Sequence, residues 1–140
     1  MATNNSIVMS WINQSSVTLA FFLPEAAKHG TNPAATPAFM APGGQSGNTS
    51  SVEAAPSDPV FGPGPEGSFQ WQVGTSGQII QVNYDHPFGS GTTTVMVSCP
   101  PNFLVAGCGQ GPAQAIFLDG NCLSLQSQEA TVQFEITEGS

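Results

Sequence analysis

Two histidines, three cysteines and nine carboxylates are the groups this 140-residue chain offers for proton transfer, nucleophilic attack or metal ligation. His86 beside Asp85 has the composition of a base and its orienting carboxylate. Neighbours on a strand, however, point to opposite faces, and no serine lies in a nucleophile-elbow pattern. His29 and His86 alone are too few for a zinc site or a well-populated triad, so His86 reads as a turn or core histidine. Glu25, Glu53, Asp58 and Glu66 lie in loop-rich sequence without the spaced oxygen ligands and glycine of a calcium loop, and they read as solvated surface charge. Gly62-Pro-Gly64-Pro-Glu-Gly67 has the spacing of a dinucleotide fingerprint. Its two prolines and the strand pattern after it leave no helix N-terminus to meet a phosphate. Cys108, between two glycines, has no neighbouring base to activate it. These residues predict no catalytic centre, no metal and no cofactor.

Charge excludes further classes. Nine acids stand against the single base Lys28, with no arginine, for a net charge of -8 and only 7% charged residues. Binding to nucleic acid draws on lysine and arginine displacing counterions, and binding to anionic membranes draws on basic clusters; this chain can supply neither. Its 39% hydrophobic content, including nine Phe and two Trp, is too high for a disordered acidic tail. The first residues carry no basic region, and the apolar stretch after them is broken by Ser10, Asn13, Gln14, Ser15 and Ser16. That pattern predicts neither a signal peptide nor a membrane span. Cys99, Cys108 and Cys122 cannot all pair within one chain and read as reduced thiols. Synthesis in the cytosol is the expectation, with release by an unconventional route left open.

The elements that must position these residues are strands. Phe69 to Val73, Ile80 to Tyr84 and Val132 to Ile136 alternate apolar and polar residues without error, which sets one face on a core and one in water. Further candidates are Ile7 to Ile12, Val17 to Leu23, Thr92 to Ser98, Phe103 to Ala106, Ala115 to Leu118 and Leu123 to Leu125. Thr75-Ser76-Gly77 joins the two best runs, and Asp119-Gly120 signals a two-residue hairpin between Phe117-Leu118 and Asn121-Cys122. No window carries a sustained 3.6-residue apolar stripe, and Glu25 to His29 is barely more than a turn. The expectation is an all-β, antiparallel two-sheet sandwich formed by residues 1–140 as one domain, with long Pro/Gly-rich loops. Thr31 to Gly67 reads as loop with two short strands, the kind of segment where binding function resides. Trp11, Phe21, Phe69, Trp71, Tyr84 and Phe134 fall on strand pattern and are expected in the core. Phe39, Phe61, Phe88 and Phe103 flank Pro/Gly turns and are the candidates for exposure, where rings insert at a membrane interface or stack on sugars and quaternary ammonium groups.

The order of features from Phe39 to Val97 resembles the aegerolysin family. Met40-Ala41-Pro42-Gly43 matches a proline-led start of a strand, Glu53-Ala54-Ala55 follows, and a Gly/Pro stretch leads into Glu66-Gly67-Ser68-Phe69. Tyr84-Asp85-His86-Pro87-Phe88-Gly89-Ser90 is similar to the family's Trp-Asp-Cys-Pro-Trp-Gly-Ser, with His86 in place of the cysteine. Ile7 to Phe22, broken at Asn13-Gln14-Ser15, looks like the family's first hairpin. The strand after the motif carries Val95 where the family tends to place a lipid-contacting aromatic, and the family's usual basic residues are absent. What the resemblance implies is a sandwich of the kind shared with actinoporin-like pore-forming toxins. It further implies a non-enzymatic module that recognises neutral or zwitterionic sphingolipid-type membranes, together with a larger pore-forming protein. The residues expected to touch lipid are Tyr84, Asp85, Pro87, Phe88, Phe39 and Phe61. Two alternatives remain open from the residues alone: an abundant structural, storage or spore-associated protein, and a lectin-like binder of neutral sugars.

Overall fold

A computed structural model of the chain describes residues 5–58, 63–87, 93–107 and 129–139, and the backbone of strands 115–119 and 124–126. Among the described residues twelve strands run in the order β1 (Ile7–Asn13), β2 (Leu19–Phe22), β3 (Ala34–Thr36), β4 (Phe39–Met40), β5 (Thr49–Ala54), β6 (Glu66–Val73), β7 (Ile79–Asp85), β8 (Thr94–Ser98), β9 (Phe103–Gly107), β10 (Ala115–Asp119), β11 (Ser124–Gln126) and β12 (Glu129–Glu138). They form two sheets packed face to face, an all-β sandwich. Sheet A has the order β11-β12-β1-β5-β3, with β9 also on β12; sheet B has the order β10-β8-β7-β6-β2-β4. Among the described residues no helix is long and apolar enough to cross a membrane.

Alternation explains which faces meet. Ile7, Met9 and Trp11 of β1, Val132, Phe134 and Ile136 of β12, Phe69, Trp71 and Val73 of β6, and Ile80, Val82 and Tyr84 of β7 all point inward and are buried. Trp11 stacks on Phe134, its neighbour across the β1–β12 pair, with centroids 4.3 Å apart. From there it reaches across the sandwich to meet Phe69 and Trp71 edge-on at 6.1 and 6.0 Å. Each ring removed from water contributes about 1.5–3 kcal/mol, so this aromatic joint between the sheets is the centre of the core. Phe103, expected among the exposed rings, is 1% exposed instead. It opens β9, and pairing with Glu138 turns its side chain under the sheet.

Four expectations about connections need correcting. Ile7 to Phe22 is not a hairpin: β1 lies in sheet A and β2 in sheet B, so Asn13-Gln14-Ser15 is a corner between sheets. The strands on either side of Asp119-Gly120 do not pair with each other, because β10 pairs with β8 and β11 with β12 in the opposite sheet, and residues 120–123 lie outside the described residues. A local turn signal states that the chain can reverse, whereas the partner is chosen by which sheet edge is open. The tract from 31 to 67 holds three strands ahead of β6, and β5 sits between β1 and β3 inside sheet A. Its sequence Thr-Ser-Ser-Val-Glu-Ala hides a strand because the inward positions Ser50, Val52 and Ala54 are small, and Ser50 satisfies its hydroxyl by donating to the Pro37 carbonyl at 2.6 Å. Met40 ends β4, and Pro42 begins the turn after it, with the Gln45 N–H donating to the Pro42 carbonyl. Among the described strands one pair, β1 with β12, is parallel. Parallel neighbours need a long crossover, and here most of the chain supplies it. The Gly74 to Gln78 turn between β6 and β7 matches expectation, with positive φ at Gly74 and Gly77.

Candidate functional site

At one end of sheet B the expected site residues part company. Tyr84 points inward, is 2% exposed and packs 6.4 Å from Phe69. Among the described residues its hydroxyl has no hydrogen-bond partner, and burial pushes its pKa far above the ordinary phenol value. The following residue, Asp85, takes the outward phase opposite Glu66 on β6. Desolvation, then the Glu66 carboxylate, raises the Asp85 pKa against the lowering influence of Lys28, His29 and His86. Lys28 Nζ lies 3.7 Å from Glu66 Oε2, and His29 Nε2 lies 4.0 Å from Glu66 Oε1. The His29 and Glu66 backbones also exchange N–H···O bonds at 3.0 and 2.9 Å, which ties the 24–33 segment to the start of β6. His86 turns inward again, 4% exposed, with Nδ1 2.5 Å from Thr93 Oγ1 and its N–H donating to the Pro65 carbonyl at 2.9 Å. Asp85 and His86 therefore face apart, as strand geometry requires. Pro87 is half-buried beside them. Lys28, Glu66, Ser68, Asn83, Asp85, Thr94 and Met96 line an open depression of about 330 Å³ in this region. Among the described residues no group of three His, Cys, Asp or Glu side chains could hold a metal ion.

Phe39 lies elsewhere. It pairs with Ala20, which is opposite Gln72, which is opposite Ile79; that row is six residues along β7 from Asp85, about 20 Å at the strand rise. The structure thus separates Phe39 from Asp85 and Pro87 and withdraws Tyr84 into the core. Phe61 and Phe88 lie outside the described residues.

What the fold does gather is the outward face of sheet B. Phe22 (43% exposed), Phe39 (63%), Ile79 (37%) and Met96 (44%) are four of the five large hydrophobic side chains exposed among the described residues, and all four take the outward phase of this sheet. Phe22 and Phe39 are diagonal neighbours across β2 and β4, a spacing of about 7–8 Å. Between the apolar positions lie Ser68, Gln70, Gln72, Gln81 and Asn83. Gln70 Nε2 donates to Gln81 Oε1 at 3.0 Å, and Gln81 Nε2 donates to Asn83 Oδ1 at 3.3 Å. Among the described side chains this face carries no charge beyond its end, where Glu66 and Asp85 are bordered by Lys28. The outward face of sheet A carries Glu53, Glu129 and Glu135.

Sequence reasoning missed Phe22, Ile79 and Met96. The available signal was phase: each stands next to an inward apolar residue, in Phe21-Phe22, Ile79-Ile80 and Val95-Met96-Val97. An apolar residue out of step with its strand's alternation marks an exposed apolar position.

No known protein family matches the chain, and no curated protein matches it in sequence. Among solved structures the chain is similar to IP-1A from Alcaligenes faecalis, with a TM-score of 0.62 and 10% identity over 99% of this chain and 94% of that one. At that identity the likeness concerns the fold, and it extends over nearly the full length of both chains.

Proposed function

We propose that this chain is a non-enzymatic recognition module that attaches to neutral or zwitterionic membrane surfaces through the outward face of sheet B. The observation that carries the reading is the concentration of Phe22, Phe39, Ile79 and Met96 on one sheet face whose central rows hold no charged side chain. A monomeric protein exposes scattered apolar residues as a matter of course, but gathering them on one face favours contact with a lipid or protein surface. Short-range burial is the attraction available to a protein of net charge -8 with one lysine. Aromatic rings at the interface of an uncharged membrane supply it. The contact surface proposed is the sheet face rather than the Tyr84 to Ser90 turn, because Tyr84 is committed to the core. The resemblance to aegerolysins is in keeping with this reading and adds to it the cooperation of a larger pore-forming protein.

Vesicle sedimentation tests the reading. The full chain is expected to sediment with sphingolipid/sterol vesicles and not with phosphatidylserine vesicles. Phe39→Ala is expected to weaken attachment about tenfold, from the loss of roughly 1.4 kcal/mol of ring burial. Phe39 is largely exposed and its removal leaves the core intact. Equal sedimentation of wild type and Phe39→Ala, or no sedimentation with any vesicle, overturns the proposal.

A further inference from the structure

The amide chain on the same face bears on what the membrane must display. Gln70, Gln81 and Asn83 form a directed run of side-chain hydrogen bonds in which each amide N–H donates to the next amide oxygen. The run therefore ends in two unused groups, the Gln70 Oε1 acceptor at one end and the Asn83 Nδ2 donors at the other. Neither makes a hydrogen bond to the protein among the described residues. Register places Phe22 directly beside Gln70 and Met96 directly beside Asn83. The amides are thus bracketed by apolar side chains across four strands, a width of about 14 Å. Ser68, on the Asn83 side, and Gln72, on the Gln70 side, extend the polar strip along β6.

We infer that this strip holds a neutral hexose headgroup of a membrane glycolipid, a ligand class that rests on the membrane-attachment reading above. Vicinal hydroxyls each offer a donor and an acceptor, and an amide row with free ends of both kinds pairs with them. The C–H face of a sugar ring packs on an aromatic side chain such as Phe22. A phosphate or carboxylate headgroup meets the carboxylates Glu66 and Asp85 at the Asn83 end of the strip, and Lys28, which borders the strip there, lies 3.7 Å from Glu66. The lipid-borne sugar is favoured over a soluble one because Ile79, Met96 and Phe39 around the strip have no hydroxyl-recognising chemistry. They suit the acyl and headgroup boundary that surrounds a glycolipid.

The experiment compares sedimentation of the full chain with phosphatidylcholine vesicles and with the same vesicles containing a neutral monohexosylceramide, alongside binding of a soluble oligosaccharide of the same hexose. The glycolipid is expected to tighten attachment about tenfold, as two or so added neutral hydrogen bonds would. In Asn83→Leu and Gln70→Leu, each checked for folding by thermal melting, the ratio between the two vesicles is expected to fall close to one. Equal binding of wild type to both vesicles overturns the sugar inference while leaving membrane attachment standing, as does an unchanged ratio in both folded variants. Absence of binding to either vesicle overturns both readings, and so does binding of the soluble oligosaccharide without attachment to vesicles.

Discussion

At the residue scale, Asp85 shows how partial burial first, and a neighbouring charge second, set the behaviour of one position beside the core. It is half-buried, opposes Glu66 across the β6–β7 ladder, and has a carboxyl whose pKa is raised by desolvation first and by Glu66 second. Folding therefore disfavours its ionised form. A carboxyl raised in the folded state adds stability that is full below its unfolded pKa and is lost as pH rises through the folded value. Asp85→Asn is accordingly expected to be more stable than wild type at neutral pH, with the difference closing as pH falls into and below the ordinary carboxylate range. Paired thermal melts across that window would show it; a variant less stable at neutral pH would mean that Lys28 and His29 outweigh Glu66. Cys99 is a second case of burial deciding. Its thiol is buried and donates to the Phe103 carbonyl at 3.3 Å, and burial raises its pKa. Cys108 and Cys122 lie outside the described residues.

At the scale of elements, the corner after β1 decides how the two sheets are joined. Asn13 is fully buried. Its Nδ2 donates to the carbonyls of Val17, Ala41 and Met40 at 2.8, 2.9 and 3.5 Å. Its Oδ1 accepts from the Ser15 N–H at 3.0 Å and the Ser15 hydroxyl at 2.6 Å. One amide thus closes the β1–β2 corner and pins the end of β4 to it. Asn13→Ala removes the amide from those carbonyls, of which Val17 keeps the Ser15 hydroxyl as a donor at 3.2 Å, and buried orphans cost about 1–3 kcal/mol each where water cannot reach them. Unfolding in urea is expected to show a loss of about 3 kcal/mol. A loss under about 1 kcal/mol would show that water replaces the amide. The sequence contains this corner as Asn13-Gln14-Ser15, and a break there is legible. That the break changes sheets rather than reversing within one is not legible, since the same polar residues serve either turn. The corner's partners at 40 and 41 come from a segment that carries no signal of its role.

At the scale of the whole molecule, charge is distributed by face. Glu53, Glu129 and Glu135 take the outward phase of sheet A, while the central rows of sheet B's outward face are neutral and partly apolar. Attachment through that neutral face depends on burial and not on a long-range field. Raising salt is therefore expected to leave binding to zwitterionic vesicles nearly unchanged, and in mixed membranes to strengthen it as residual repulsion is screened over a Debye length of roughly 10 Å at 0.1 M. Titration of vesicle binding with sodium chloride decides it; steep weakening with salt would point to an electrostatic contact instead. Sequence by itself determined that the chain is all-β, that Trp11, Phe69, Trp71 and Phe134 face inward, and that the acids outnumber the one base, because alternation and composition are local properties of the chain. It also left the amides of β6 and β7 readable as outward. Only the tertiary structure decided that Phe22, Phe39, Ile79 and Met96 share a face and that β10 and β11 part to opposite sheets. Those outcomes depend on which strands become neighbours. Strand pairing is a contest among many open edges separated by long stretches of chain, and it is settled by the joint burial of two faces rather than by any one segment.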